Sequence, residues 1–104
     1  MSYNTGNVNK QSVITVTLSP ALIVANTSAE QTFTVNGVAV GDVICVNKPT
    51  TQAGLGIVGQ RVSAANTIAI TFGNFTGSSI TPTAAQAYKI VITRPDSVIT
   101  DGNI

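Results

Sequence analysis

A chain of 104 residues carries four Asp and Glu, five Lys and Arg, no histidine, no tryptophan and a single cysteine. That length fits one domain, in which roughly 65% of the unfolded chain's surface can leave water on folding. Charged residues make up 9% of the chain, where about 25% is usual; the net charge of +1 comes without any Lys/Arg run, which excludes the electrostatic footprint of nucleic-acid or anionic-membrane binding.

The segment Ser12 to Leu18 sets Val13, Thr15 and Thr17 against Ser12, Ile14, Val16 and Leu18. This period-two pattern, rich in β-branched side chains, predicts a first strand. Pro20 cannot donate to a ladder and ends it, and Ala21 to Ala25 predicts a short second piece before a polar turn at Asn26 to Ala29. Gln31 to Val35 alternates again, with Phe33 and Val35 on one side. Asn36-Gly37 and Gly41-Asp42 then mark turns where the chain reverses.

Asp42 to Lys48 is the most apolar strand, and its run Val43-Ile44-Cys45-Val46 predicts burial on both faces at the centre of a sheet, with Lys48-Pro49 as its end. Cys45 has no second cysteine to pair with, so the same run predicts a buried, inert thiol. Thr50 to Gly56 holds two glycines around Leu55 and predicts a loop that presents one apolar side chain.

Ile57 to Ser63 and Thr67 to Phe72 flank Ala64-Ala65-Asn66, the spacing of a hairpin with a three- or four-residue connection. Gly73 to Ala85 is punctuated by Gly77, Ser78, Ser79 and Pro82, which predicts a crossing between sheets with a short extended piece at Ser79 to Thr81. Gln86 to Thr93 sets Tyr88, Ile90 and Ile92 against Lys89, Val91 and Thr93, a last strand closed by Arg94-Pro95. No segment carries the three-to-four spacing of an amphipathic helix.

The elements together predict an all-β fold: a single antiparallel β-sandwich or small barrel of about seven short strands, with Greek-key or jelly-roll-like connections among the options. The domain spans 12–95, between an N-terminal arm at 1–11 and a C-terminal tail at 96–104, both polar and able to order against a neighbour. The opening residues lack the basic and apolar blocks of a secretion signal, and no apolar stretch approaches the ~20 residues of a membrane span, so synthesis in a cytoplasm is expected. On that ground the sequons Asn26-Thr27-Ser28 and Asn74-Phe75-Thr76 are read as accidental.

Chemistry is scarce. The four acids, Glu30, Asp42, Asp96 and Asp101, are scattered over turns and the tail, and even if Glu30 and Asp42 meet in space they read as caps or solvated groups. Asp101-Gly102-Asn103 lacks the ligand alternation and closing glutamate of a calcium loop, and Gly54-Leu55-Gly56 lacks the helix of a phosphate loop. No serine or threonine has an activating partner signature. The expectation is therefore a protein that is not an enzyme and holds no cofactor and no metal.

Phe33, Phe72 and Tyr88 fall in predicted strands, where core packing explains them, and Lys48, Arg61, Lys89 and Arg94 stand singly. Phe75 and Leu55 fall in predicted loops, so each either tucks onto its own core or anchors a partner. A low-charge exterior of Thr, Ser, Asn and Gln loses little ion solvation when another protein covers it, which points to life packed against neighbours.

The run Val24-Ala25-Asn26-Thr27-Ser28-Ala29-Glu30-Gln31-Thr32-Phe33-Thr34-Val35 is followed by Val40-Gly41-Asp42-Val43, Asn47-Lys48-Pro49 and Ala53-Gly54-Leu55. Gln60 to Phe72, Asn74-Phe75-Thr76-Gly77 and Ile80-Thr81-Pro82 continue the pattern. Over about Val24 to Arg94 it resembles small structural proteins of tailed bacteriophage virions, in particular the capsid decoration, or cement, proteins. That resemblance implies a β-sandwich-like protein, often a homotrimer, on the outer surface of the assembled head, bridging neighbouring copies of the major capsid protein. It transfers no functional residues. The residues expected at partner contacts are Tyr3 and Val8 in the N-terminal arm, Leu55, Phe75, and the single cations Arg61 and Arg94. The other function kept open is a collar or tail-fibre β-module that binds a host surface receptor or glycan.

Overall fold

The computed structural model describes residues 6–100 and 102. Six strands follow one another: β1 (Val8–Leu18), β2 (Thr27–Thr34), β3 (Val43–Asn47), β4 (Leu55–Ala64), β5 (Thr67–Asn74) and β6 (Gln86–Pro95). They form two antiparallel three-stranded sheets, ordered β1-β6-β3 and β2-β5-β4, and the described residues contain no helix. Four of the five connections change sheet; only β4 and β5 form a hairpin within one.

Alternation along the strands decides what the two sheets share. Leu18 of β1, Ile44 and Val46 of β3, and Tyr88, Ile90 and Ile92 of β6 face Val62 of β4 and Ile68, Ile70 and Phe72 of β5 across one continuous core. Ile14, Val16, Phe33 and Ile57 pack at its margins. Removing these β-branched and aromatic side chains from water is the main force holding the sheets together. Ile23, fully buried, joins the core from the β1–β2 connection and bridges to Ile80, so the two short extended pieces expected at Ala21 to Ala25 and Ser79 to Thr81 meet as a single bridge.

Several expectations change. Six strands form where about seven were expected, because Ala21 to Ala25 supplies only that bridge. β1 reaches back to Val8, since Val8, Lys10 and Gln11 pair with Pro95, Arg94 and Thr93 around a bulge at Asn9, so four residues placed in the arm belong to the strand. Thr27 to Ala29, expected as a turn, is already strand β2 against β5. β3 lies at a sheet edge with only Ile44 and Val46 buried; Val43 is 65% exposed and Cys45 faces outward, so neither burial on both faces nor a buried thiol holds. The hairpin loop is two residues, Ala65-Asn66, with Asn66 at positive φ, a conformation asparagine tolerates. Its tip is pinned to the Asn36-Gly37 turn: the Asn66 N–H donates to Val38 O (2.9 Å), and Asn66 Oδ1 accepts from the Gly37 N–H (2.8 Å).

Candidate interaction surface

Among the described residues there is no group of three or more His, Cys, Asp and Glu, and no helix long and apolar enough to cross a membrane. The strand ladders show how the two exposed sheet faces are built.

Directly opposed residues of an antiparallel ladder share a face. Val13, Val91 and Cys45 are aligned across β1, β6 and β3 and form the middle row of one outer face. Gln11, Thr93 and Val43 form the row on one side of it; Thr15, Lys89 and Asn47 form the row on the other. Lys89 is the only charged side chain in these three rows. Val13 is 66% exposed, a β-branched side chain midway along the edge strand β1. The face carries a single charge, on Lys89, and is partly apolar.

The outer face of the β2-β5-β4 sheet differs. Arg61 on β4 and Glu30 on β2 reach across β5 as a two-pronged ion pair, Nε to Oε2 3.0 Å and Nη2 to Oε1 2.9 Å, above the small, buried Ala69. The guanidinium holds the Glu30 carboxyl below its usual pKa, chiefly by hydrogen bonding. Further along the same face, Phe75 stands 69% exposed beside Val58, which a bulge in β4 between Ile57 and Gly59 pushes outward. The Phe75 ring edge sits over Gly73 and Gly56. A Cβ on Gly73 would meet Cζ of that ring at 2.9 Å, so the ring keeps its seat only because position 73 is glycine.

The backbone around the ring is fixed from below. Asn74, 1% exposed, donates through Nδ2 to Ile23 O (3.1 Å) and Ser78 O (2.8 Å), and its Oδ1 accepts from the Thr76 N–H (2.9 Å) and Thr76 Oγ1 (2.7 Å). The Phe75 N–H donates to Gly54 O (2.8 Å). Asn26, Thr27, Ser28, Val58, Asn74 and Phe75 together line an open groove of about 490 Å³. Both sequons lie here, and the amide of Asn74 is occupied by its two carbonyl partners.

The six residues singled out from sequence do not form one patch. Tyr3 lies outside the described residues. Val8, 58% exposed, opens β1 and pairs with Pro95. Leu55 is not presented by a loop: it opens β4, opposite Asn74, and packs half-buried against the core. Phe75 follows β5 and is 69% exposed, its ring edge over Gly73 and outside the core. Arg94 is engaged within its own chain, with Nε and Nη2 each 2.8 Å from an Asp42 carboxylate oxygen and Nη2 also 2.8 Å from Gly37 O. Those bonds, helped by the Ala39 N–H, pull the Asp42 pKa down to about 2. Arg61 is likewise held, by Glu30, so Glu30 and Asp42 do not meet; each takes an arginine.

The residues missed were Val13, Val43, Cys45 and Val91 on one face and Val58 on the other. The alternation of β1 marked Val13 as facing away from Ile14 and Val16, and that was the available signal. No family model, no curated protein and no solved structure matches the chain.

Proposed function

We propose that the chain is a non-enzymatic capsid decoration (cement) protein of a tailed bacteriophage. In this reading it binds the outer surface of the assembled head across neighbouring copies of the major capsid protein, works as a homotrimer, and resides in the virion after synthesis in the host bacterial cytoplasm. The observation that carries the reading is the outer face of the β1-β6-β3 sheet, centred on Val13, Val91 and Cys45, with Lys89 as the one charged side chain in its three rows. Such a face gives up little hydration of charge when covered, and its exposed valines gain from leaving water. The resemblance of Val24 to Arg94 to virion proteins supports the same conclusion.

The mechanism is mass action. Contacts that span subunit boundaries exist only in the assembled shell, so binding stabilises the shell relative to its separated subunits. Three copies joined by symmetry multiply individually weak contacts through effective concentration. The test is sedimentation of the purified chain with heads of its own virion that lack it, followed by heating. Saturable binding at fixed stoichiometry and a raised rupture temperature are expected, together with loss of both in a Val13→Lys, Val43→Lys variant that still folds. Heads that neither bind the chain nor gain heat resistance refute the reading.

A further inference from the structure

We propose that the groove beside Phe75 is a binding site for a neutral saccharide ring. The ring of Phe75 is mostly open to solvent, yet it is not loose: glycine at 73 seats its edge, Val58 flanks it, and the Asn74 bonds and the Phe75–Gly54 bond fix the backbone that carries it. An exposed aromatic held in place loses little freedom when something stacks on it, which is how a small interaction area becomes useful. Beside the ring, Asn26 and Ser28 place an exposed amide and an exposed hydroxyl, neither bonded within the described chain.

Among the described residues no ionisable side chain lines the groove. The matching ligand is therefore uncharged, with one apolar face for the ring and hydroxyls at its edge for the amide and the hydroxyl. A pyranose has that chemistry, whereas a phosphate or carboxylate would find no cation. The volume of about 490 Å³ falls within the range of small-molecule sites and suits one or two sugar rings. An apolar protein segment would leave the amide and hydroxyl unpaired unless it carried its own polar groups in register.

The binding chemistry stands independently of the decoration reading, but its consequence rests on it. The groove lies on the outer face of β2-β5-β4, on the opposite side of the sandwich from the β1-β6-β3 face proposed to meet the shell. A docked molecule would then hold the groove toward the medium, where surface glycans of a host are met.

The test is titration of the ¹⁵N-labelled full chain with glucose, galactose, mannose, N-acetylglucosamine and their short oligomers, read by amide shifts. Saturable shifts confined to Ser28, Val58, Gly73 and Phe75 are expected for at least one sugar, with dissociation constants on the order of millimolar for a single ring. Phe75→Ala should weaken binding roughly tenfold or more with an unchanged melting temperature, because the side chain is largely exposed, whereas Phe75→Tyr should keep it. Gly73→Ala should weaken it by unseating the ring. No saturable shift with any of these sugars overturns the proposal and leaves the shell reading untouched. Groove shifts produced by the capsid protein and by no sugar also overturn it, making Phe75 a protein anchor instead.

Discussion

Asn74 is the joint between the core and the exposed ring, and exchanging its amide for a carboxyl gives a test whose sign follows from geometry. Asn74→Ala removes four hydrogen bonds, but Ile23 O keeps the Ile80 N–H at 3.0 Å and Ser78 O keeps Thr76 Oγ1 at 2.8 Å, so the main group left without a partner is the Thr76 N–H. At about 1 kcal/mol per bond, partly offset by those retained contacts, the expected loss is about 2–3 kcal/mol. In a domain of this size that lowers the melting temperature by roughly 10–20 °C. Asn74→Asp preserves the shape and both Thr76 contacts, yet at neutral pH it turns an oxygen toward Ile23 O and Ser78 O, where the amide donated. An unpaired buried charge of this kind costs about 3–5 kcal/mol, more than the alanine does. Burial and the two carbonyls raise the pKa of the introduced carboxyl above its unfolded value of about 3.9. The folded state then binds the extra proton first, so the variant gains stability as pH falls from 7 toward 4.5, while the parent chain does not. Urea unfolding followed by far-ultraviolet circular dichroism at both pH values reads the difference. An aspartate variant as stable as the parent at pH 7, or one that tracks the parent across this pH range, would refute the donor role of the Asn74 amide.

Three further outcomes follow from the same structure. Tyr88 is fully buried and its hydroxyl has no hydrogen-bond partner among the described residues, so Tyr88→Phe should raise stability by about 1 kcal/mol in equilibrium unfolding; a destabilised variant would show that the hydroxyl is bonded. Asp42, with its pKa lowered from 3.8 to about 2 chiefly by the Arg94 hydrogen bond, contributes stability that is present above pH 3.8 and lost as pH falls toward 2. The parent should therefore lose about 1–2 kcal/mol more than Asp42→Asn over that window in acid titrations of unfolding, and identical acid profiles would count against the pair. Cys45 faces solvent from β3, so one thiol per chain should react with a disulfide reagent in the native protein without denaturant; reaction only after unfolding would put that side chain inside.

What could be read from the sequence was local. The β4–β5 hairpin followed from two β-rich runs flanking Ala64-Ala65-Asn66, one residue longer than the loop that forms, and β6 from the alternation of Tyr88, Ile90 and Ile92. The crossing at Gly73 to Ala85 was marked by its turn residues. Four consecutive apolar residues in β3 gave the wrong expectation, because periodicity cannot say whether a strand has a neighbour on its second face; that depends on what packs across it. The same limit hid the face around Val13, which becomes a row only when β1 pairs with β6, some 80 positions away in sequence and so invisible to a window along the chain. The glycines around Leu55 suggested a loop, while pairing with Gly73 and Asn74 of β5 carries the strand through them. Arg61 and Arg94 looked free for a partner because the acids that hold them, Glu30 and Asp42, stand 31 and 52 positions away in sequence and are brought in by other elements.

The central claim is that this sandwich acts by contact with a viral shell through the outer face of its β1-β6-β3 sheet. A particle reconstruction of the virion that carries the chain tests it most directly. The account predicts the sandwich in symmetric groups on the outer surface of the head, with Val13, Val91 and Cys45 against capsid subunits and Phe75 toward the medium. A head without the sandwich, or with that valine row turned outward and uncovered, would contradict it.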